Sequence, residues 1–105
     1  IGTPGGWMLV ADDGGEVIGF LAATLSRPWF SDAEALGEDL LYVRPDRRHG
    51  RAAWKLVEAF VALARELGVI YARASVATGA HGAAAERLYE RHGMHRVGGA
   101  YAIHF

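Results

Sequence analysis

A basic loop between an apolar run and a helical pattern is the part of the chain best suited to chemistry. The segment at 40–53 reads Leu-Leu-Tyr-Val-Arg-Pro-Asp-Arg-Arg-His-Gly-Arg-Ala-Ala. N–H groups at the start of a helix lack partners within it, and the helix dipole adds positive potential there. Gly50 leaves room for a ligand beside the backbone. Arg47, Arg48 and Arg51 can donate charge-assisted hydrogen bonds to phosphate, so the segment predicts an anion site.

The spacing of glycine and arginine in this loop separates several kinds of phosphate site. A P-loop requires Gly-x4-Gly-Lys-Ser/Thr and a dinucleotide-binding turn requires Gly-x-Gly-x-x-Gly, and the loop has neither. It has Arg47-x-x-Gly50-x-Ala52 between a strand-like run and a helix. A solvated charged loop is the plainer interpretation. Nucleic acid is disfavoured because no aromatic side chains are interleaved with the arginines.

A second pattern near the C-terminus strengthens the interpretation of the first. Residues 85–94 read Ala-Glu-Arg-Leu-Tyr-Glu-Arg-His-Gly-Met. Together the two patterns resemble the signatures of the GNAT family of acetyl-CoA-dependent N-acetyltransferases, which are Gln/Arg-x-x-Gly-x-Gly/Ala and Ala-x-x-Leu-Tyr-x-x-x-Gly-Phe. Met94 stands where the family has the aromatic residue. The resemblance extends from about Trp7 to Phe105.

The resemblance implies that acetyl-CoA is the cosubstrate and that a primary amine, in a small molecule or a peptide, is the acceptor. The amine would attack the thioester directly, without a covalent enzyme intermediate. The two central strands would separate to admit the pantetheine arm, and the start of the long helix would hold the pyrophosphate. The cofactor-binding residues implied in this way are Leu41, Tyr42, Val43, Arg47, Arg48, His49, Gly50, Arg51, Ala52 and Ala53.

Proton transfer requires an acid and a base beside the thioester. Tyr89 matches the family tyrosine that often protonates the departing thiolate, so the resemblance implies that it is the general acid. Glu38 and Asp39 lie on opposite faces of the strand that leads into the basic loop. A carboxylate partly buried there would have a raised pKa, which suits a base. Asp39 is the first choice and Glu38 remains open. Either carboxylate could instead be structural or solvated, and Tyr89 could be a core tyrosine.

Hydrophobic periodicity divides the chain into elements in the order β-β-β-α-β-α-β. Two strands flank a turn at 12–15 whose glycines suit a β-hairpin. Apolar residues three and four apart predict a long helix that stops at Gly68. The predicted ranges are 7–11, 16–25 and 34–43 for the first three strands, 50–67 for the long helix, 69–76 for a strand, 83–92 for a short helix and 94–105 for a last strand region that a bulge or bend interrupts at 98–99.

These elements predict one α/β domain over residues 1–105, built on a mixed central sheet of the GNAT type. The strand-helix-strand unit predicts a parallel pair with a right-handed crossover, and the hairpin adds antiparallel strands. The family normally begins with a strand and one or two helices, and these helices form one wall of the acceptor site. None of them is seen before the hairpin, so we expect either a domain that is incomplete at its N-terminus, because the region was removed or left out, or one whose wall is supplied by a partner, as in a homodimer. The alternative is a catalytically weak or inactive GNAT-like module that binds CoA or serves in assembly.

The composition narrows the classes of protein and partner. The chain has 105 residues, of which 51% are hydrophobic and 22% charged, so it predicts one globular domain. Its net charge of −1 does not favour nucleic acid or an anionic membrane. There is no cysteine, which excludes disulfides and cysteine-based metal sites, and no other metal site is expected. No signal peptide or long apolar run is seen, so we expect a cytoplasmic protein.

Overall fold

Six strands and two helices make up the described part of the chain. The computed structural model describes residues 5–26, 34–48, 50–75, 82–97 and 100–105. The strands are β1 (Gly6–Asp13), β2 (Glu16–Ser26), β3 (Ala35–Val43), β4 (Tyr71–Ser75), β5 (His95–Val97) and β6 (Ala100–His104). The helices are α1 (Ala52–Leu67) and α2 (Gly82–Arg91), and a single 3-10 turn spans Pro45–Arg47.

The strands form one mixed sheet in the order β1-β2-β3-β4-β6-β5. β3 and β4 are parallel and are connected through α1, whereas the other neighbouring strands are antiparallel. The predicted mixed α/β sheet is therefore confirmed. The region 94–105 differs from the prediction of one bent strand, because it contains two strands that pair with each other, His95 opposite Ala102. Glycine weakens the interior of a strand, and positions 98–99 are both glycine and lie outside the described residues.

Helix α1 covers one face of the sheet with the apolar stripe that the sequence predicts. Its buried side chains recur three and four residues apart, so they lie on one side of the helix, and Phe60 and Val57 are fully buried. The helix ends at Gly68, which has a φ of 73° and donates its N–H to the carbonyls of Ala64 and Arg65. Because only glycine adopts this left-handed conformation without strain, Gly68 ends the helix where the sequence predicts.

The strand register shows which side chains face α1 and which face away. Leu9, Leu21 and Leu41 lie opposite one another across β1, β2 and β3, and they pack in the core against α1. The alternate positions of the same strands lie on the other face, which we call the open face, because successive side chains of a strand alternate. It carries Met8, Val10, Phe20, Ala22, Leu40 and Tyr42.

Gly19 of β2 permits the close approach of β3. A Cβ atom at this position would lie 2.7 Å from the carbonyl oxygen of Tyr42, which belongs to the backbone and cannot rotate away. Gly19→Ala is therefore expected to lower the free energy of unfolding by about 1–3 kcal/mol, as overpacking does. Urea denaturation measures the change. Gly37→Ala is the matched control, since its Cβ would meet only the carbonyl of Thr24, at 3.8 Å. An equal loss in both variants would contradict the steric explanation.

Candidate active site

Among the residues that the structure describes, the pairing of β3 with β4 ends at Glu38 and Ala74, and the candidate site is built around that end. Their parallel pairing runs from Ala35 opposite Tyr71 to Glu38 opposite Ala74. Within the described residues, β3 then continues to Val43 paired with β2 alone. We call the region beyond Glu38 and Ala74 the β3–β4 fork. Main-chain groups of β3 on this side have no β4 partner among the described residues, and such groups must be satisfied by protein, a ligand or water.

A β-bulge in β3 separates the two candidate bases. Ala22 lies opposite Leu40 and Ala23 lies opposite Glu38, so Asp39 is the extra residue. Glu38 contacts α2 and is only 6% exposed. Asp39 is exposed and accepts a hydrogen bond from a threonine hydroxyl of β2. The structure thus places one carboxylate inside the fork and the other at its surface.

Tyr89 and Glu38 form a buried pair at the fork. The Tyr89 hydroxyl donates a hydrogen bond to Oε1 of Glu38 at 3.4 Å, and the tyrosine is 2% exposed. Burial raises the pKa of Tyr89 far above its ordinary value, and the negative charge and the hydrogen bond of Glu38 raise that pKa further. The hydroxyl therefore keeps its proton at neutral pH, as a proton donor must. The structure brings together two residues that the sequence proposes separately.

The start of α1 is the place where the sequence predicts an anion site. Arg51 is the N-cap residue, and its side chain makes no capping hydrogen bond. The N–H groups of Ala52 and Ala53 belong to the first turn, in which a helix leaves its donors without intrahelical partners. The N–H of Gly50 is bonded to the carbonyl of Arg47 at 3.2 Å, and a Cβ on Gly50 would meet only that carbonyl, at 3.5 Å. The helix start is thus able to bind an anion.

The arginines of the loop are less available than their sequence suggests. Arg47 forms an ion pair with Asp13 of β1, which raises the pKa of its guanidinium. Arg44 binds Asp46 at 2.7 Å and also contacts Glu16 of β2, and Arg44 lowers the pKa of the Asp46 carboxyl. The sequence does not predict these partners, because ion pairs between distant segments leave no local pattern. The only signal in the sequence is that acidic residues lie within and next to the turn at 12–15.

The other predicted cofactor residues lie in different surroundings. Arg48 donates from Nε to the carbonyl of Val43 at 2.9 Å, and its guanidinium lies 5.9 Å from the ring centre of Tyr42. Arg51 is exposed and makes no ion pair with any other described residue. Leu41 packs toward the core, so only its main chain can serve a ligand. His49 lies outside the described residues.

The described residues contain neither a metal-binding cluster nor a helix that could span a membrane. Among the described residues, no group of three or more histidine, aspartate or glutamate side chains could hold a metal ion. In the same part of the chain, neither helix is long and apolar enough to cross a membrane. The candidate site consists of the main-chain donors at the start of α1, the Tyr89–Glu38 pair and the loop arginines.

The family model described as "Acetyltransferase (GNAT) family" matches residues 2–94. No curated protein matches the chain, whereas several solved structures match it. A GNAT family acetyltransferase from Brucella melitensis in complex with acetyl-CoA is 20% identical, with a TM-score of 0.72, and the match covers 93% of this chain and 57% of that one.

Two other solved structures are of proteins that are named after their acceptors. Ribosomal-protein-alanine N-acetyltransferase from Brucella melitensis is 23% identical, with a TM-score of 0.75 and coverage of 97% of this chain and 70% of that one. An aminoglycoside acetyltransferase from an uncultured soil metagenomic sample, in complex with sisomicin, is 16% identical, with a TM-score of 0.73 and coverage of 98% and 65%. This chain thus spans 57–70% of the length of these three proteins. At such low sequence identities, the similarity to these proteins shows the fold alone.

Proposed function

Since the chain belongs to the acetyltransferase (GNAT) family, we propose that it transfers the acetyl group of acetyl-CoA to a primary amine. The observation that carries this proposal is the Tyr89–Glu38 pair at the β3–β4 fork, where a buried proton donor meets a buried carboxylate. The acetyl donor is consistent with the acetyl-CoA complex of a protein with the same fold. The acceptor is a small-molecule amine or a peptide amine, and the first two to test are an alanine-terminated peptide and sisomicin.

The donor is held in two places in this proposal. Main-chain groups of Leu41, Tyr42 and Val43 pair with the pantetheine arm in the fork, where β3 has no described β4 partner. The first N–H groups of α1, at Ala52 and Ala53, bind the pyrophosphate together with the positive end of the helix dipole. The thioester then lies at the point where the strands separate, next to the Tyr89 hydroxyl.

The proton movements balance between the Tyr89–Glu38 pair and solvent. Glu38 first takes one proton from the ammonium form of the acceptor, directly or through water, and releases it to solvent. The free amine then attacks the thioester carbonyl, so a C–N bond forms and the C–S bond breaks, and Tyr89 donates its proton to the departing sulfur. The proton that the nitrogen loses on forming the amide passes to Glu38 and returns to Tyr89 through their hydrogen bond. We propose Glu38 rather than Asp39 as the base because Asp39 lies at the surface, bonded to a threonine hydroxyl.

Calorimetric titration of acetyl-CoA tests the donor site through Gly50. The wild type is expected to bind, and Gly50→Glu to bind at least about tenfold more weakly, because a carboxylate would stand at the helix start among the anion-binding donors. Ala62→Glu is the matched control, since it adds the same charge to an exposed position near the other end of α1. Equal affinities for Gly50→Glu and Ala62→Glu would contradict the pyrophosphate assignment. A wild type that binds acetyl-CoA but acetylates no amine would favour the inactive CoA-binding module.

A further inference from the structure

Two arginines join the loop before α1 to the β1–β2 hairpin, but they are bound differently. Arg44 contacts two carboxylates, those of Glu16 and Asp46, and its N–H also bonds the carbonyl of Ile18 at 2.8 Å. Arg47 has Asp13 as its close partner, while its Nε is 4.0 Å from Asp46. Arg44 is therefore a fixed attachment, whereas Arg47 is held mainly by one exposed carboxylate.

Arg47 and the start of α1 face the same cleft. The cleft has a volume of about 510 Å³ and is lined by Asp13, Arg47, Gly50, Arg51 and Ala52, among others. A phosphate bound at the first turn of α1 would lie beside the Arg47 side chain and beside the Asp13 carboxylate, which would repel it. The phosphate and the carboxylate would then compete for one guanidinium.

We propose that Asp13 is a positioning residue that holds Arg47 in the free protein and releases it to the pyrophosphate when CoA binds. This inference rests on the proposed function, because it assumes that CoA occupies the start of α1. The Arg47 and Asp13 side chains are 36% and 58% exposed, and exposed ion pairs are weak. A guanidinium can bind phosphate through two parallel hydrogen bonds, so the pair of Arg47 with a pyrophosphate is stronger than its exposed pair with Asp13. Asp13 therefore lowers the affinity for ligands that carry a pyrophosphate, and only for those.

Calorimetry on four variants tests the competition. Asp13→Asn is expected to bind CoA about two- to fivefold more tightly than the wild type, which is the range that one exposed ion pair spans. Glu16→Gln is the matched control, since it removes an equal charge from the same hairpin. Glu16 differs from Asp13 in that its partner is Arg44. In the background of Arg47→Ala, Asp13→Asn is expected to leave the affinity unchanged. S-acetylpantetheine, which lacks the pyrophosphate, is expected to bind equally to wild type and Asp13→Asn.

The outcomes separate this inference from the function on which it rests. Weaker or unchanged CoA binding by Asp13→Asn overturns it, and so does an equal gain in Glu16→Gln, which would mean that only net charge matters. A gain that persists without Arg47, or that extends to S-acetylpantetheine, also overturns it. If the wild type binds CoA, each of these results leaves the proposed function standing. If the wild type binds no CoA, the proposed function falls, and the inference falls with it.

Discussion

Replacement of Tyr89 by Phe is expected to lower kcat for acetyl transfer about 10²-fold or more, while KM for acetyl-CoA changes little. The loss is of this size because general acid catalysis contributes about 10²–10⁴-fold, and the hydroxyl is the only group that the variant lacks. Initial-rate kinetics with the best acceptor measure both constants. Tyr71→Phe is the matched control, since Tyr71 begins β4 at the end of the β3–β4 pairing far from the fork. An unchanged kcat in Tyr89→Phe would exclude the acid role.

The raised pKa of Tyr89 makes the stability of the wild type depend on pH in a way that the Tyr89→Phe variant does not share. The unfolded chain begins to lose the proton of this hydroxyl near the ordinary value of 10.0, whereas the folded protein keeps it to a higher pH. Stability from this group is therefore fully present below pH 10 and is lost as pH rises toward the folded-state pKa. The Phe variant lacks this loss. Urea denaturation from pH 8 to about pH 11 measures the unfolding free energies of wild type and variant. If the variant is the less stable protein at pH 8, the difference between the two free energies is expected to narrow or reverse at the alkaline end.

Local sequence patterns were sufficient for most of the fold. The stripe at Leu56, Val57 and Phe60 predicts α1 because its period matches the helix, and Gly68 ends it by a conformation that glycine adopts readily. The two strands of region 94–105 do not follow from local patterns, because a glycine pair indicates a break in a strand but not whether the chain bends or reverses. Pairing between strands is a long-range property. Local composition does not determine it.

The candidate site shows a similar division. Short sequence patterns mark the basic loop, the start of α1 and Tyr89. The main-chain donors at the helix start depend on local structure alone. The partners of the side chains cannot be read from the sequence. Tyr89 and Glu38 are 51 residues apart, and Arg47 and Asp13 are 34 apart. A cluster of arginines indicates where cations are, and only the folded chain shows which carboxylates already bind them.

The β-bulge at Asp39 also illustrates why the base could not be chosen from the sequence. Adjacent residues of a strand have side chains on opposite faces, and the sequence does not say which face the acceptor approaches. The structure adds that Glu38 is buried against Tyr89 and that Asp39 is exposed. These surroundings suggest different roles for the two carboxylates. A pair of amide substitutions can distinguish the roles.

Glu38→Gln is expected to lower kcat/KM about 10²-fold or more, whereas Asp39→Asn is expected to raise KM for the acceptor with kcat within about tenfold of the wild type. Glutamine keeps an oxygen that accepts the Tyr89 hydrogen bond, so the fold at the fork is retained, but it cannot take a proton from the amine. Asparagine at 39 removes an exposed negative charge that attracts an ammonium group. Initial rates with varied acceptor separate the two kinds of loss, and the thermal midpoint checks that both variants are folded.

The acceptor itself provides the decisive comparison between these variants. An amine whose pKa lies well below the assay pH arrives without its extra proton, so it depends less on a base than an alkylamine does. If Glu38 is the base, the defect of Glu38→Gln is expected to shrink with such an acceptor and to be largest with an alkylamine. A defect of the same size for both amines would assign Glu38 a structural role beside Tyr89. A kcat loss confined to Asp39→Asn would transfer the base to the surface carboxylate, and proton transfer would then run through solvent on the open face.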